Sequence, residues 1–179
     1  MWIDVVLLAN MAARPSHGYE LRRRVEETTG YALSNNSLYP TLRRFAEAGA
    51  AVKTAEPQEG RPPRHVYTIT EVGRELLHDL LADLPDELAD DNAEFLVRVS
   101  QFQWLTDNER RQIFDARERA LAKQHIRLTA LRDTREPEAW SGVVLDELLR
   151  RLHAEQNWLT LLRDRATPPS EEDSDDHKH

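Results

Sequence analysis

Apolar residues crowd the first thirteen positions without a helical period. Trp2, Ile3, Val5, Val6, Leu7, Leu8 and Met11 leave no polar stripe. A helix over residues 2–13 that is apolar nearly all round has to be covered by other elements or by a second chain. The run carries Asp4, has no basic leader and is too short to span a bilayer, so neither a signal peptide nor a membrane span is expected. Pro15 and Ser16 should stop it and cap a second helix over about 16–29, ended by Gly30. Leu21, Val25 and Thr28 are its inward positions, while Arg22, Arg23 and Arg24 mostly fan outward. In a third helix Leu38, Leu42, Phe45 and Ala46 share one face, and Gly49 ends it. Pro40 has no N–H to give, which is harmless only in a first turn, so the N-cap is expected at Asn36 or Ser37. The opposite face then presents Asn36, Ser37, Pro40, Arg43, Arg44 and Glu47.

Two short β-branched runs follow, 51–54 and 64–69, separated by a turn-rich tip, Ala55-Glu-Pro-Gln-Glu-Gly-Arg-Pro-Pro63. A lone hairpin is not stable, so this one must lean on the helices before it. From Thr70 onward the pattern is helical. Leu76, Leu77, Leu80, Leu81 and Leu84 mark one helix, and Phe95, Leu96, Val99 and Phe102 another that ends near Trp104. Thr106-Asp-Asn-Glu109 has the form of a capping box and opens a long helix through Ile113, Phe114, Leu121, Leu128 and Leu131, broken at Pro137. Trp140, Val144, Leu148, Leu152, Leu159 and Leu162 belong to a last helix, and the acidic tail 167–179 should be disordered.

Three helices, a hairpin and a helix form the order of a winged helix. The expected fold class is mainly α with an α+β winged helix. An N-terminal winged helix-turn-helix DNA-binding domain (1–84) is followed by an α-helical dimerisation domain (85–166) and the tail. The two long helices motivate dimerisation, because each is longer than a core of this size could cover alone, and the first helix is expected to join the same interface.

Net charge changes the picture only when it is divided along the chain. The total is −8, but residues 1–80 carry ten Lys/Arg and ten Asp/Glu, residues 81–167 carry 13 and 17, and the tail has one lysine against five acids. Between Arg14 and Tyr67 there are nine basic and six acidic residues. The acidity therefore belongs to the C-terminal half, and the winged helix keeps a basic cluster that suits double-stranded DNA. There is no cysteine, so disulfides and thiolate metal sites are excluded; a soluble cytoplasmic protein is expected.

A helix-turn-helix places the N-terminal residues of its second helix on base edges. Here those are Asn35, Asn36 and Ser37, followed by Tyr39 and Thr41, all short or planar hydrogen-bonding groups. Arg43 and Arg44 one turn on, and Arg61 and Arg64 beside the wing prolines, supply charge for phosphates. Tyr19 serves equally well as a core aromatic or a DNA contact, Tyr67 reads as a core aromatic, and His17 as a structural hydrogen-bonder. His177 and His179 are weak metal ligands on a polar end, and Asp90-Asp91 and Glu171-Glu172 have no partner for catalysis. With no phosphate loop, metal cluster or triad, no enzyme and no cofactor are expected. The competing reading is a winged-helix module that only docks other proteins through its acidic half.

Three blocks make the likeness specific: His17-Gly-Tyr-Glu-Leu, Ser37-Leu-Tyr-Pro-Thr-Leu-Arg-Arg and Val66-Tyr-Thr-Ile-Thr-Glu-Val-Gly-Arg-Glu-Leu. In this order and spacing they resemble the PadR family of bacterial regulators. Asp91-Asn-Ala-Glu-Phe-Leu-Val-Arg and Ala154-Glu-Gln-Asn-Trp-Leu-Thr-Leu-Leu are similar to the helical dimerisation domain of its phenolic-acid-repressor-like branch. Ala50-Ala51 and Phe45 depart from the usual residues at those places. The resemblance implies a homodimeric repressor on an inverted-repeat operator, released by a small aromatic or phenolic effector near the dimer axis. Phe102, Trp104 and Trp158 are the residues expected to line that slot, or else, with Trp140, to pack the dimer.

Overall fold

The most deeply buried element is the first one. In the computed structural model, which describes residues 1–58, 61–136 and 139–166 (of residues 58, 61 and 62 only the backbone), helix α1 (Trp2–Ala13) has Val5 to Met11 almost wholly buried. It packs against α2 (Gly18–Thr29), α3 (Asn35–Glu47), β3 (Arg61–Ile69), α4 (Glu71–Ala82) and α5 (Asn92–Val99). An all-round apolar helix is thus covered by its own chain. Its expected place in a dimer interface is not needed to bury it.

The second helix starts two residues later than expected. Ser16 and His17 are a short strand, β1, pairing antiparallel with β3 through Ser16↔Tyr67 and His17↔Val66. His17 is the N-cap of α2, and its N–H donates to the Glu20 carboxylate at 2.9 Å. Burial opposes ionisation there, but the hydrogen bond to that backbone N–H outweighs it and holds the Glu20 carboxyl below its ordinary range. Leu21 and Val25 face the core as expected; Thr28 does not, and is exposed. Arg24 turns inward and donates to the Asn10 carbonyl (3.3 Å) and to the Ser16 hydroxyl, tying α2 to α1 and β1.

Helix α3 is capped by Ser34, whose hydroxyl accepts from the Ser37 N–H at 3.2 Å, so the expected cap at Asn36 or Ser37 is wrong. The serine cap reaches further upstream than the proline argument allowed. Pro40 consequently sits in the second turn, and the Asn36 carbonyl receives no N–H from position 40. Leu38, Leu42 and Phe45 are buried on one face.

β2 (Ala51–Gln58) pairs with β3 from Ala51↔Ile69 out to Gln58↔Arg61, giving the sheet order β1-β3-β2. Both strands run further into the proline-rich segment than the sequence suggested; a bulge opposite Glu56–Gln58 sets two residues of β3, Pro62 and Pro63, against Pro57 alone. Glu59 and Gly60 of the expected tip lie outside the described residues. The wing root is fixed by Thr70. Its hydroxyl donates to the Gly49 carbonyl (2.6 Å) and accepts from the Gly73 N–H (3.1 Å), capping α4. These elements make a winged helix of the α+β class.

Contacts divide the chain into two units, 1–106 and 107 onward, so residues 85–106 lie with the winged helix and not with the long helices. α5 is the reason. Its Glu94 and Arg98 are buried and paired at 2.7 Å, and the Trp2 N–H donates to Glu94 at 2.7 Å, joining α5 to α1. Phe102–Trp104 form a single 3-10 turn after α5.

The second unit contains α6 (Asp107–Asp133) and α7 (Trp140–Ala166). Side-chain ties run in opposite order along them, Arg132 to Asp146, His125 to His153 and Arg163 to Glu118, so the pair is antiparallel. Ile113, Phe114, Leu121, Leu128, Leu152 and Leu159 are buried. The break expected at Pro137 and the disorder expected for residues 167–179 both fall outside the described residues. Among the described residues no helix is long and apolar enough to cross a membrane.

Candidate nucleic-acid interface

The outer face of α3 carries most of the residues singled out for DNA. Asn35, Asn36, Tyr39, Pro40 and Arg43 are exposed, and Ser37 and Thr41 half-buried. Local bonds occupy two of these hydroxyls. Ser37 Oγ lies 3.0 Å from Ser34 Oγ, and Thr41 donates to the Ser37 carbonyl at 2.8 Å, leaving its oxygen able to accept. Arg22 of α2 donates to Asn35 Oδ1 at 3.2 Å, bracing the start of α3. Arg44 is placed differently from Arg43. Its guanidinium pairs with Asp4 of α1 and lies 5.2 Å from the Phe45 ring centre, so it fastens α3 to the core.

Tyr39 is the pivot of the surface. It is 48% exposed, and its ring rests against Gly18, at the N-terminus of α2. On one side a hollow of about 270 Å³ lies among Tyr39, Gly18, Tyr19, Pro63 and Arg64. On the other a hollow of about 520 Å³ lies among Tyr39, Pro40, Arg43, Lys53 and Tyr67. Tyr19 is 51% exposed, stacks on His17 at 5.7 Å and has the Arg64 guanidinium 5.8 Å from its ring centre. That arrangement favours the contact reading of Tyr19 over the core reading. Tyr67 is buried, and burial, with Tyr39 nearby, pushes its hydroxyl above the ordinary tyrosine range. His17 holds the His65 carbonyl (3.2 Å) and Glu56 (3.6 Å) at the wing root, a structural position. The backbone of Arg61 pairs with Gln58; its side chain is outside the described part.

Lys53 was not foreseen. It stands opposite Tyr67 in the β2–β3 register, so its side chain shares the Tyr67 face, toward Tyr39. Only the register reveals this, and the sequence does not fix where a proline-rich tip begins. The surface therefore gathers Arg43, Lys53 and Arg64 around exposed tyrosines and amides, with Glu47 and Glu56 the acidic neighbours. It can hold an anionic backbone and offer hydrogen bonds to base edges.

Residues 7–79, from within α1 through most of α4, match the transcriptional regulator PadR-like family. They are a PadR-like domain. The His17–Leu21, Ser37–Arg44 and Val66–Leu76 blocks meet in it, the first two at the Gly18–Tyr39 contact. A curated Mycobacterium tuberculosis protein named "Probable transcriptional regulator Rv1176c" is 32% identical over 85 residues, 46% of this chain and 45% of that one. The chain thus matches less than half of that relative's length. Among solved structures, a Thermoplasma acidophilum transcriptional regulator is 36% identical with a TM-score of 0.40, covering 43% of this chain and 72% of that one. Bacillus subtilis PadR, solved in complex with operator DNA, is 18% identical with a TM-score of 0.43, covering 92% and 98%. Both TM-scores are low, and these two likenesses stand as resemblances only.

Phe102 and Trp104, expected at an effector slot, lie on the 3-10 turn of the first unit, Phe102 half-buried and Trp104 exposed. Trp158 lies exposed on α7 of the second.

Proposed function

We propose that this chain is a non-enzymatic, sequence-specific DNA-binding transcriptional regulator, acting as a homodimer that represses from an inverted-repeat operator. The observation that carries the reading is the exposed polar face of α3, flanked by Arg43, Lys53 and Arg64, within a PadR-like domain. The N-terminal turn of α3 supplies Asn35, Asn36 and Ser37 to base edges; the cations and Tyr19 and Tyr39 hold phosphates. Dimerisation rests on the second unit. Trp140 is 84% exposed, and Val143, Val144, Leu148 and Leu161 are also open on α7, an apolar surface a single chain leaves wet. Half-sites would lie about 34 Å apart or a multiple of that. A small aromatic or phenolic effector would release the operator by favouring a non-binding spacing.

A gel shift with the gene's own upstream DNA against unrelated DNA, repeated at rising salt, tests the reading. Preferred, salt-sensitive binding is expected. Equal binding to both DNAs, or none, would leave protein docking as the better account. Quenching of tryptophan fluorescence by aromatic acids, with loss of the shifted band, tests the effector; no response from any of them removes it.

A further inference from the structure

Three ties across the α6–α7 pair stand at seven-residue steps along α6. Glu118, His125 and Arg132 are seven apart on α6, and Asp146 and His153 are seven apart on α7. The outer rungs are acid–base pairs, Arg132 with Asp146 and Arg163 with Glu118. The middle rung is two imidazoles. His125 Nε2 and His153 Nε2 stand 3.2 Å apart, with ring centres at 5.1 Å and planes inclined by 49°.

Two identical neutral rings can share a single proton across that gap, one Nε2–H donating to the other's lone pair. The same geometry suits another occupant. Two imidazole nitrogens at about 2.0–2.1 Å from a tetrahedral zinc ion are about 3.3 Å apart, so the observed separation already has the bite of a chelate. The ion pairs on either side hold the two helices at this spacing, and with both rings protonated at Nδ1 each Nε2 keeps a lone pair for a shared cation. We propose that His125 and His153 form a two-histidine site for a borderline divalent transition cation such as Zn²⁺, clipping α6 to α7. Among the described residues no group of three or more His, Cys, Asp or Glu is placed to hold a metal, so water completes the coordination and the ion exchanges readily. The two histidines belong to the second unit, and the DNA-facing residues to the first.

Calorimetric titration of the full chain with Zn²⁺ alone tests this. One ion per chain is expected, with affinity at least tenfold weaker in both His125→Ala and His153→Ala. No saturable binding, or unchanged affinity in the two variants, overturns the site, because both variants keep every other histidine. Should either variant fail to fold by circular dichroism, imidazole ¹⁵N spectra of the unaltered chain decide. Zn²⁺ should shift Nε2 of His125 and His153 together, and shifts confined to other histidines overturn the proposal.

Discussion

A Cβ on Gly18 would lie 3.0 Å from Cε1 of Tyr39. The missing side chain lets the tyrosine lie flat on the N-terminus of α2 and line both hollows of the candidate interface. Gly18→Leu is therefore expected to displace Tyr39 at small cost to stability, within about 1 kcal/mol, because the ring is half-exposed and can swing away. DNA affinity should fall several-fold while the urea midpoint hardly moves. A midpoint shift as large as the binding loss would mean Tyr39 is a packing residue.

Gly73 has no such freedom. A Cβ there would meet the Ala50 carbonyl oxygen at 2.1 Å, and backbone cannot move aside as a ring can. Gly73→Ala should destabilise the wing root by about 3 kcal/mol, read from equilibrium unfolding. A loss below about 1 kcal/mol would show that α4 can shift on the β2 corner.

Arg43 and Arg44 are neighbours with different expected outcomes. Arg43→Ala should lower the dependence of log K on log salt by about 0.9, one phosphate contact. Arg44→Ala should leave that slope unchanged and cost about 0.5–1 kcal/mol of stability, the scale of a pair exposed on one side, through its loss of Asp4. Equal slopes for Arg43→Ala and the unaltered chain would falsify the choice of face.

Glu94 sets an acid limit. Burial pushes its carboxyl up, but hydrogen bonds from Arg98, the Trp2 N–H and the Met1 amine together outweigh this, and the net direction is down from 4.5. A depressed folded value adds stability that is present above about pH 4.5 and lost as pH falls through the folded value. Unfolding midpoints measured from pH 7 to pH 3 should drop in the acid range. Glu94→Gln should remove part of that drop and, by leaving Arg98 buried beside a neutral partner, destabilise the protein at pH 7 by about 3 kcal/mol. An unchanged acid slope in the variant counts against Glu94 as its source.

The unaltered chain is expected to be a dimer in light scattering, and Val144→Glu with Leu148→Glu a monomer without loss of helix content, since both side chains face solvent in one chain. A dimer that survives both charges must use another surface.

Helix positions and the winged order were legible because long apolar periodicities and the glycine stops at Gly30 and Gly49 are local signals. Errors gathered where distant residues decide. Ser16 is a strand residue because β3 pairs with it, and Arg24 turns inward because Ser16 and Asn10 wait there. Helix α5 belongs with α1 because a buried Glu94–Arg98 pair, two charges that periodicity assigns to the surface, reaches back to Trp2. Within the candidate interface, residue types on α3 were readable from its one-sided pattern. Lys53 and the diversion of Arg44 to Asp4 needed the hairpin register and the neighbouring helix.

The central helix α1 also shapes how the protein is made. Its seven buried positions, Val5 to Met11, are translated well before two of the helices that cover them, α4 and α5, at residues 71–82 and 92–99. At about 5–20 residues per second, translation leaves this strip partly uncovered for several seconds. Through that interval α1 is a sticky nascent segment with only part of its native cover, so substitutions that delay α4 or α5 should reduce soluble yield in cells before they reduce the stability of purified protein.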